Sequence, residues 1–71
     1  MDRSIQLRHL AAAEQRVTSG AHNISKQELC VEALDCRGYD ATLARSVLET
    51  FLIAQAHHVA HRDYILRELR Q

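Results

Sequence analysis

The stretch Cys36-Arg37-Gly38-Tyr39-Asp40 decides the fold, because it interrupts a chain of 71 residues that has no proline and only two glycines. Glycine is the preferred left-handed residue just past the end of a helix. With Gly38 in that place, Leu34 and Tyr39 occupy the positions that commonly make a hydrophobic contact across the helix end. Asp40 then suits the N-cap of a following helix, where its carboxylate accepts backbone N–H bonds. The stretch therefore predicts a tight reversal of the chain.

The segments on either side of this turn have the apolar periodicity of helices that pack on one face. The first segment carries apolar residues at Leu7, Leu10, Ala13, Val17, Ala21, Ile24, Val31 and Leu34. The second carries a stripe of similar spacing at Ala44, Leu48, Phe51, Gln55, His58, Arg62, Ile65 and Leu69.

These patterns predict an all-α domain that spans residues 1–71 as an antiparallel two-helix hairpin. We expect a first helix at about 4–36, a turn at 37–40 and a second helix at about 41–70. The first helix begins at a cap supplied by Ser4 or by its competitor Asp2.

A weak point of the first helix is Thr18-Ser19-Gly20, three residues of low helix propensity. Ser25-Lys26-Gln27-Glu28 follows with the form of a capping box, so an alternative has three helices with a break near residues 19–24. The seven-residue phase of Val17 and Ile24 continues through the weak point, however. We therefore favour a continuous or slightly kinked helix.

Folding the chain about Gly38-Tyr39 predicts the register of the two helices. It places Ile24 opposite Ala54 and Val17 opposite His61. Apolar residues then meet near the turn, and polar residues meet towards the open end.

Histidines form the one chemical cluster of the sequence. His57, His58 and His61 lie at helical spacings that bring pairs of imidazoles to one side, and Glu14 lies nearby in the predicted register. A zinc site needs three or four ligands, so we prefer to interpret His58 as a core or interface histidine; metal binding and a pH-responsive role are the alternatives. Arg62 is expected to form an ion pair with Glu14 across the hairpin.

Composition predicts that one hairpin cannot bury enough surface alone. Aromatic residues make up 4% of the chain, and these supply the largest burial per residue. We therefore expect a partner: a homodimer that forms a four-helix bundle, with another helical protein as the alternative. The residues predicted to form the core or interface are Leu10, Val17, Ile24, Val31, Leu34, Leu48, Phe51, His58, Ile65 and Leu69.

Several classes of function are disfavoured. Nine Lys and Arg balance nine Asp and Glu, which is a poor basis for binding nucleic acid. No apolar run reaches ~18 residues, so we expect no membrane association and a cytoplasmic location. Cys30 and Cys36 are about 240° apart on a helix and are expected to be small buried or half-buried residues in a reducing compartment. No pattern of a catalytic or cofactor-binding site is present, so we expect neither an enzyme nor a cofactor.

The chain resembles a group of short bacterial proteins common in rhizobia and other alphaproteobacteria. The stretches that carry the resemblance are Ile24-x-x-Gln27, Leu34-x-x-x-Gly38-x-Asp40-x-x-Leu43-Ala44-Arg45, and Leu48-Glu49-Thr50-Phe51 with His58-Val59-Ala60-His61-Arg62-Asp63. The similarity covers most of residues 8–69. The resemblance implies a helical hairpin with its turn at Gly38, and it supplies no catalytic residue, since the group has no assigned activity.

The function most consistent with the sequence is a protein–protein interaction or scaffold module that homodimerises. The alternative is a metal- or ligand-binding helical bundle that uses His57, His58 and His61.

Overall fold

The computed structural model describes residues 2–71 and is a rod of 54 × 14 × 14 Å. It consists of two helices that fold back on each other, α1 at Arg3–Cys36 and α2 at Thr42–Leu69. The described residues contain no strand. The all-helical, hairpin-like arrangement predicted from the sequence is thus what the structure has, and α1 is continuous.

Helix α1 passes through its weak point without a break, and it packs against α2 there. The hydroxyl of Thr18 donates to the carbonyl of Glu14, one turn earlier, at 3.1 Å. Gly20 lies against α2, where its missing side chain leaves room for Gln55. At the start of the helix, Asp2 is the N-cap, and its carboxylate accepts from the backbone N–H of Ser4 at 2.9 Å.

The turn has the geometry of a Schellman motif. Gly38 has φ +74°. The N–H of Tyr39 donates to the carbonyl of Leu34 at 2.9 Å, and the N–H of Gly38 donates to that of Asp35 at 3.1 Å. These two bonds satisfy carbonyls that the end of α1 would otherwise leave without partners.

Helix α2 begins one residue later than the sequence indicates. Its N-cap is Ala41, which is 2% exposed and has no capping side chain. Asp40 still supplies the cap, because its Oδ1 accepts from the backbone N–H of Thr42 at 3.0 Å and from the Thr42 hydroxyl at 2.6 Å. The pKa of Asp40 is lowered below its ordinary value of 3.8, mainly by the hydrogen bond from the Thr42 hydroxyl. The bond from the Thr42 N–H and then the nearby charge of Arg45 lower this pKa further.

The two helices meet along a seam, in which buried and half-buried positions recur at alternating spacings of three and four residues. Such alternating spacings are typical of helices that pack on each other along one face. The seam of α1 contains Gln6, Leu10, Ala13, Val17, Gly20, Ile24, Gln27, Val31 and Leu34. The seam of α2, with its N-cap, contains Ala41, Ala44, Leu48, Phe51, Gln55, His58, Arg62, Ile65 and Leu69.

The predicted register is wrong by about one helical turn. The residue that lies over Gly20 is Gln55. The predicted register placed a residue about one turn later in α2 at that point. The seam spacing then brings Val17 level with His58, and it leaves His61 exposed. The shift arises at the turn, because Ala41 is buried against the hairpin instead of forming the first turn of α2.

The apolar stripe predicted for α1 needs a related correction. Leu7 and Ala21 are exposed, whereas Gly20 and Gln27 take the half-buried seam positions. Cys30 and Cys36 are also exposed and free, not buried as expected.

Candidate functional site

The predicted core and interface residues lie along the seam. Ile65 is 4% exposed. The other predicted positions are half-buried: Leu10, Val17, Ile24, Val31, Leu34, Leu48, Phe51, His58 and Leu69. The predicted turn residues Gly38, Tyr39 and Asp40 are exposed.

The histidine cluster does not form a metal centre within one chain. His57, His61 and Glu14 are exposed, and His58 is half-buried in the seam. Among residues 2–71, no three or more His, Cys, Asp or Glu side chains are grouped so that they could hold a metal ion. Helical spacing brings imidazoles into pairs, and the opposite helix adds no third ligand.

The predicted ion pair between Arg62 and Glu14 is wrong. Within the described chain, Arg62 forms its ion pair with its neighbour Asp63, at 3.0 Å. Another ion pair joins the helices near the turn, where a guanidinium nitrogen of Arg45 lies 2.6 Å from the Asp35 carboxylate. Both of its side chains are about half exposed, so its contribution to stability is small.

Two glutamines form polar contacts across the seam. The amide nitrogen of Gln27 donates to the carbonyl of Ala44 at 2.9 Å. The amide nitrogen of Gln55 donates to the carbonyl of Val17 at 2.7 Å. Each bond joins a side chain of one helix to the backbone of the other, so the pair helps to fix the register of the hairpin.

A shallow groove of about 390 Å³ runs along α1 where His58 reaches it from α2. A smaller groove of about 280 Å³ lies at the open end of the hairpin, beside Arg3 and Glu68. Neither contains a buried polar or charged side chain among the described residues. The larger groove is lined by Ala12, Gln15, Arg16, Ser19, Gly20, Asn23 and His58.

Large apolar side chains are exposed on both helices, and one of them, Leu52, belongs to a line of apolar residues on α2. Leu52, Val59 and Leu66 recur every seven residues: Leu52 is 49% exposed, and the other two are half-buried. Ala56 lies on the same side of the helix and is exposed. We call Leu52, Ala56, Val59 and Leu66 the outer stripe.

The Arg45–Asp35 ion pair shows which flank of α1 lies beside the outer stripe. Arg45 is one heptad before Leu52, so it belongs to the same line along α2. Asp35 ends the corresponding line along α1, which contains Leu7, Glu14, Ala21 and Glu28 at seven-residue spacing. One face of the hairpin therefore combines the outer stripe with this flank of α1. We call it the stripe face.

The extent of burial shows how little of the chain forms a core. Within the described residues, the buried apolar side chains are Ala13, Ala41 and Ile65. The accessible surface of the chain is 5428 Å². A compact monomer of 8.1 kDa is expected to expose only ~4,500 Å². A single hairpin thus exposes more surface than a folded chain of its size normally does.

Sequence reasoning missed Gly20 and Gln27 in the seam, because it selected positions by apolar character. The signal that identifies them is the alternation of three and four residues, which runs unbroken from Leu10 to Leu34. The same alternation excludes Leu7 and Ala21. The Asp35–Arg45 pair had no comparable signal, since it depends on the register.

Neither helix of the described chain, residues 2–71, has a stretch apolar and long enough to cross a lipid bilayer. No family model matches the chain, and no curated protein and no solved structure is significantly similar to it.

Proposed function

We propose that this protein is a protein–protein interaction module that works as a homodimer, in which two hairpins form a four-helix bundle. The observation that carries the proposal is the surface that the hairpin leaves exposed. Helices stabilise a protein mainly by burying an amphipathic face against a partner. Here each helix has a single partner helix.

The thin core supports this proposal. Two of the three buried apolar residues in the described chain, Ala13 and Ala41, are alanines, and no large side chain there is fully buried. Phe51, the largest apolar residue of the seam, is only half-buried. A second hairpin that covers one face would bury side chains of this kind more completely.

The areas agree with a dimer of ordinary size. The exposed area exceeds the value expected for a compact monomer by about 900 Å². A standard protein–protein interface buries ~800 Å² on each partner. Covering one face of the hairpin with a second copy would bring the exposed area into the normal range.

The exposed thiols favour a reducing compartment, such as the cytoplasm, for this module. Cys30 and Cys36 are free and exposed. In an oxidising compartment, exposed thiols tend to form disulfides between molecules. We assign the protein a binding role rather than a catalytic one.

Sedimentation equilibrium at micromolar concentration tests the proposal. We expect a mass twice the 8.1 kDa of one chain. A mass of one chain, together with full helicity by circular dichroism, would show that the hairpin is stable alone and would refute the homodimer. A monomer with little helicity would indicate that a different helical protein completes the fold.

A further inference from the structure

We propose that the stripe face binds a basic amphipathic helix of a partner protein. The apolar side chains of that helix pack along the outer stripe, and its lysines and arginines lie near carboxylates on both helices of the hairpin. This inference goes beyond the proposed homodimer and does not depend on it, because it concerns a face that a second copy is poorly suited to cover.

Acidic residues are concentrated on the stripe face. They occur on the line of Leu7 and Ala21 along α1, one turn after Glu28, and on the line of Ala56 along α2. Six of the nine acidic residues of the chain take these positions, although acidic and basic residues balance over the whole chain. The six are Glu14, Glu28, Glu32, Asp35, Glu49 and Asp63. The stripe face is therefore far more acidic than the chain as a whole, which favours a basic partner.

Most of these carboxylates have no basic partner in the hairpin. Asp35 is paired with Arg45, and Asp63 is paired with Arg62. Within residues 2–71, the other four form no ion pair, and all four are exposed. The remaining arginine of this face, Arg70, lies at the open end of the hairpin. The middle of the stripe face thus presents negative charge that the chain itself does not neutralise.

The unpaired charges are spread along the rod instead of meeting at one point. Glu14 and Glu32, the outermost of them on α1, are about 27 Å apart along the helix. Nowhere in the described part of the chain are three or more His, Cys, Asp or Glu side chains grouped so that they could hold a metal ion. A single cation therefore reaches few of these carboxylates, whereas a basic segment that runs along the rod reaches the whole set.

The apolar residues between the charges favour a helical partner over an extended one. Leu52, Val59 and Leu66 recur every seven residues on α2, and Leu7 lies on the α1 side of the same face. An amphipathic helix presents apolar side chains at this spacing, whereas an extended strand does not. Among residues 2–71, two of the exposed large apolar side chains are on this face, Leu7 and Leu52. Charge, more than apolar area, therefore selects the partner.

The same charges argue against other occupants of this face. Two stripe faces in contact would bring the carboxylates of both copies together, and such contacts between like charges are unfavourable. We therefore assign the second copy of the proposed homodimer to another surface. Nucleic acids and the cytoplasmic surfaces of membranes also carry negative charge, so the stripe face repels them.

A synthetic peptide tests the proposal with the full chain. The probe is about 20 residues long, enough to span the unpaired carboxylates as a helix, with leucine at alternating spacings of three and four residues and lysine elsewhere. Its matched control has the same leucines and glutamate in place of every lysine. We expect the lysine peptide to bind with an affinity that falls as the salt concentration rises, and the glutamate peptide not to bind. Equal binding of the two peptides would show that charge does not select the partner, and the proposal would then fail.

Two charge reversals locate the bound peptide. Glu14→Lys reverses an unpaired charge on the stripe face, whereas Glu68→Lys reverses an exposed glutamate on the other flank of α2, on the line of Val47 and Ala54. We expect Glu14→Lys to weaken binding of the lysine peptide by about tenfold and Glu68→Lys to change it little. Equal effects of the two substitutions would mean that binding follows net charge alone, which contradicts a site on the stripe face.

Two apolar truncations provide a second comparison without any change of charge. Leu52→Ala shortens a side chain of the outer stripe, and Leu43→Ala shortens one that is 78% exposed and lies off the stripe face. We expect about tenfold weaker binding for Leu52→Ala and wild-type binding for Leu43→Ala. The proposal is wrong if Leu43→Ala weakens binding as much as Leu52→Ala does.

Sedimentation of the chain mixed with the lysine peptide separates this inference from the proposed homodimer. A dimer that binds a peptide on each copy supports both. A monomer that binds one peptide refutes the homodimer and supports this inference. A chain that does not bind the peptide overturns the inference, and if Glu14→Lys then dissociates the dimer, a second copy occupies the stripe face.

Discussion

The side chain of Gln55 lies over Gly20 at the middle of the seam, and only a glycine leaves room for it there. A Cβ at residue 20 would lie within 2.8 Å of the Gln55 Cδ. The Gln55 amide nitrogen donates to the carbonyl of Val17 at 2.7 Å. A residue that weakens α1 by its propensity thus permits a hydrogen bond between the helices.

This relationship predicts a coupling between the two positions. Gly20→Ala should gain about 1 kcal/mol of helix propensity but should displace Gln55 and lose a hydrogen bond of similar worth. In a Gln55→Ala background the gain is unopposed, so Gly20→Ala should stabilise the protein there by about 1 kcal/mol. Urea unfolding of the four chains measures the coupling. The control is Ser19→Ala, at an exposed neighbouring residue, which should change the stability equally in the wild-type and Gln55→Ala backgrounds. If Gly20→Ala also changes the stability equally in the two backgrounds, the contact is disproved.

The oxygen of the same amide leads to a second prediction. Among the described residues, Oε1 of Gln55 is buried without a hydrogen-bond partner. Gln55→Leu removes this buried polar atom and adds apolar burial, so we expect stabilisation of about 1 kcal/mol. Gln27→Leu is the matched control, because it also loses a bond to a carbonyl but removes no orphaned oxygen. The melting temperatures of the two variants decide: the account fails if Gln55→Leu is the less stable of the two.

Gly38 leads to a third prediction, which concerns the backbone of the turn. Its φ of +74° is in the left-handed region, and a Cβ there would meet no atom within 4 Å. The cost of Gly38→Ala is therefore purely conformational, about 1–2 kcal/mol. Gly38→Asn should cost less, since asparagine tolerates this conformation. Denaturant unfolding gives both values, and a neutral Gly38→Ala would be inconsistent with a left-handed residue at this position.

Asp40 leads to a prediction about pH. The pKa of Asp40 is lower in the folded chain than its value near 3.8 in the unfolded chain. Its carboxylate therefore stabilises the fold at pH values above 3.8. This stabilisation is lost as the pH falls through the lower pKa of the folded chain. Asp40→Ala should therefore be less stable than the wild type at neutral pH and should lose less stability on acidification. Thr42→Val removes the hydroxyl that lowers the pKa most, and it should move the pKa of Asp40 back towards its ordinary value. Carboxyl NMR titration measures this, and an unchanged pKa would refute the capping account.

How much of this structure the sequence predicts depends on whether a feature is local. The turn at Gly38 and the cap by Asp40 were predictable, because both depend on residues within a few positions of each other. The seam positions within α2 were also predictable from periodicity, whereas half-buried Val59, Asp63 and Leu66 were not predicted. Gly20 and Gln27 escaped prediction, because the stripe of α1 was selected by apolar character and not by the alternation of three and four residues that includes both positions.

The register of the helices is the feature that sequence reasoning placed wrongly. An error of one turn leaves both apolar stripes facing each other, so periodicity alone does not detect it. The error nevertheless changed the predicted site, because it placed His61 opposite Val17 and Glu14 opposite Arg62, whereas the structure leaves His61 and Glu14 exposed. The Arg45–Asp35 ion pair escaped prediction for a related reason, since it depends on the register.

The central claim is that one hairpin leaves too much surface exposed to be stable by itself. The concentration dependence of its urea midpoint, followed by circular dichroism, tests this most directly. For a dimer that unfolds to two chains, each tenfold rise in concentration adds 1.4 kcal/mol, which shifts the midpoint by about 0.7 M when the urea slope is near 2 kcal/mol per M. We predict a shift of this size, and a midpoint that is the same at every concentration would contradict the account.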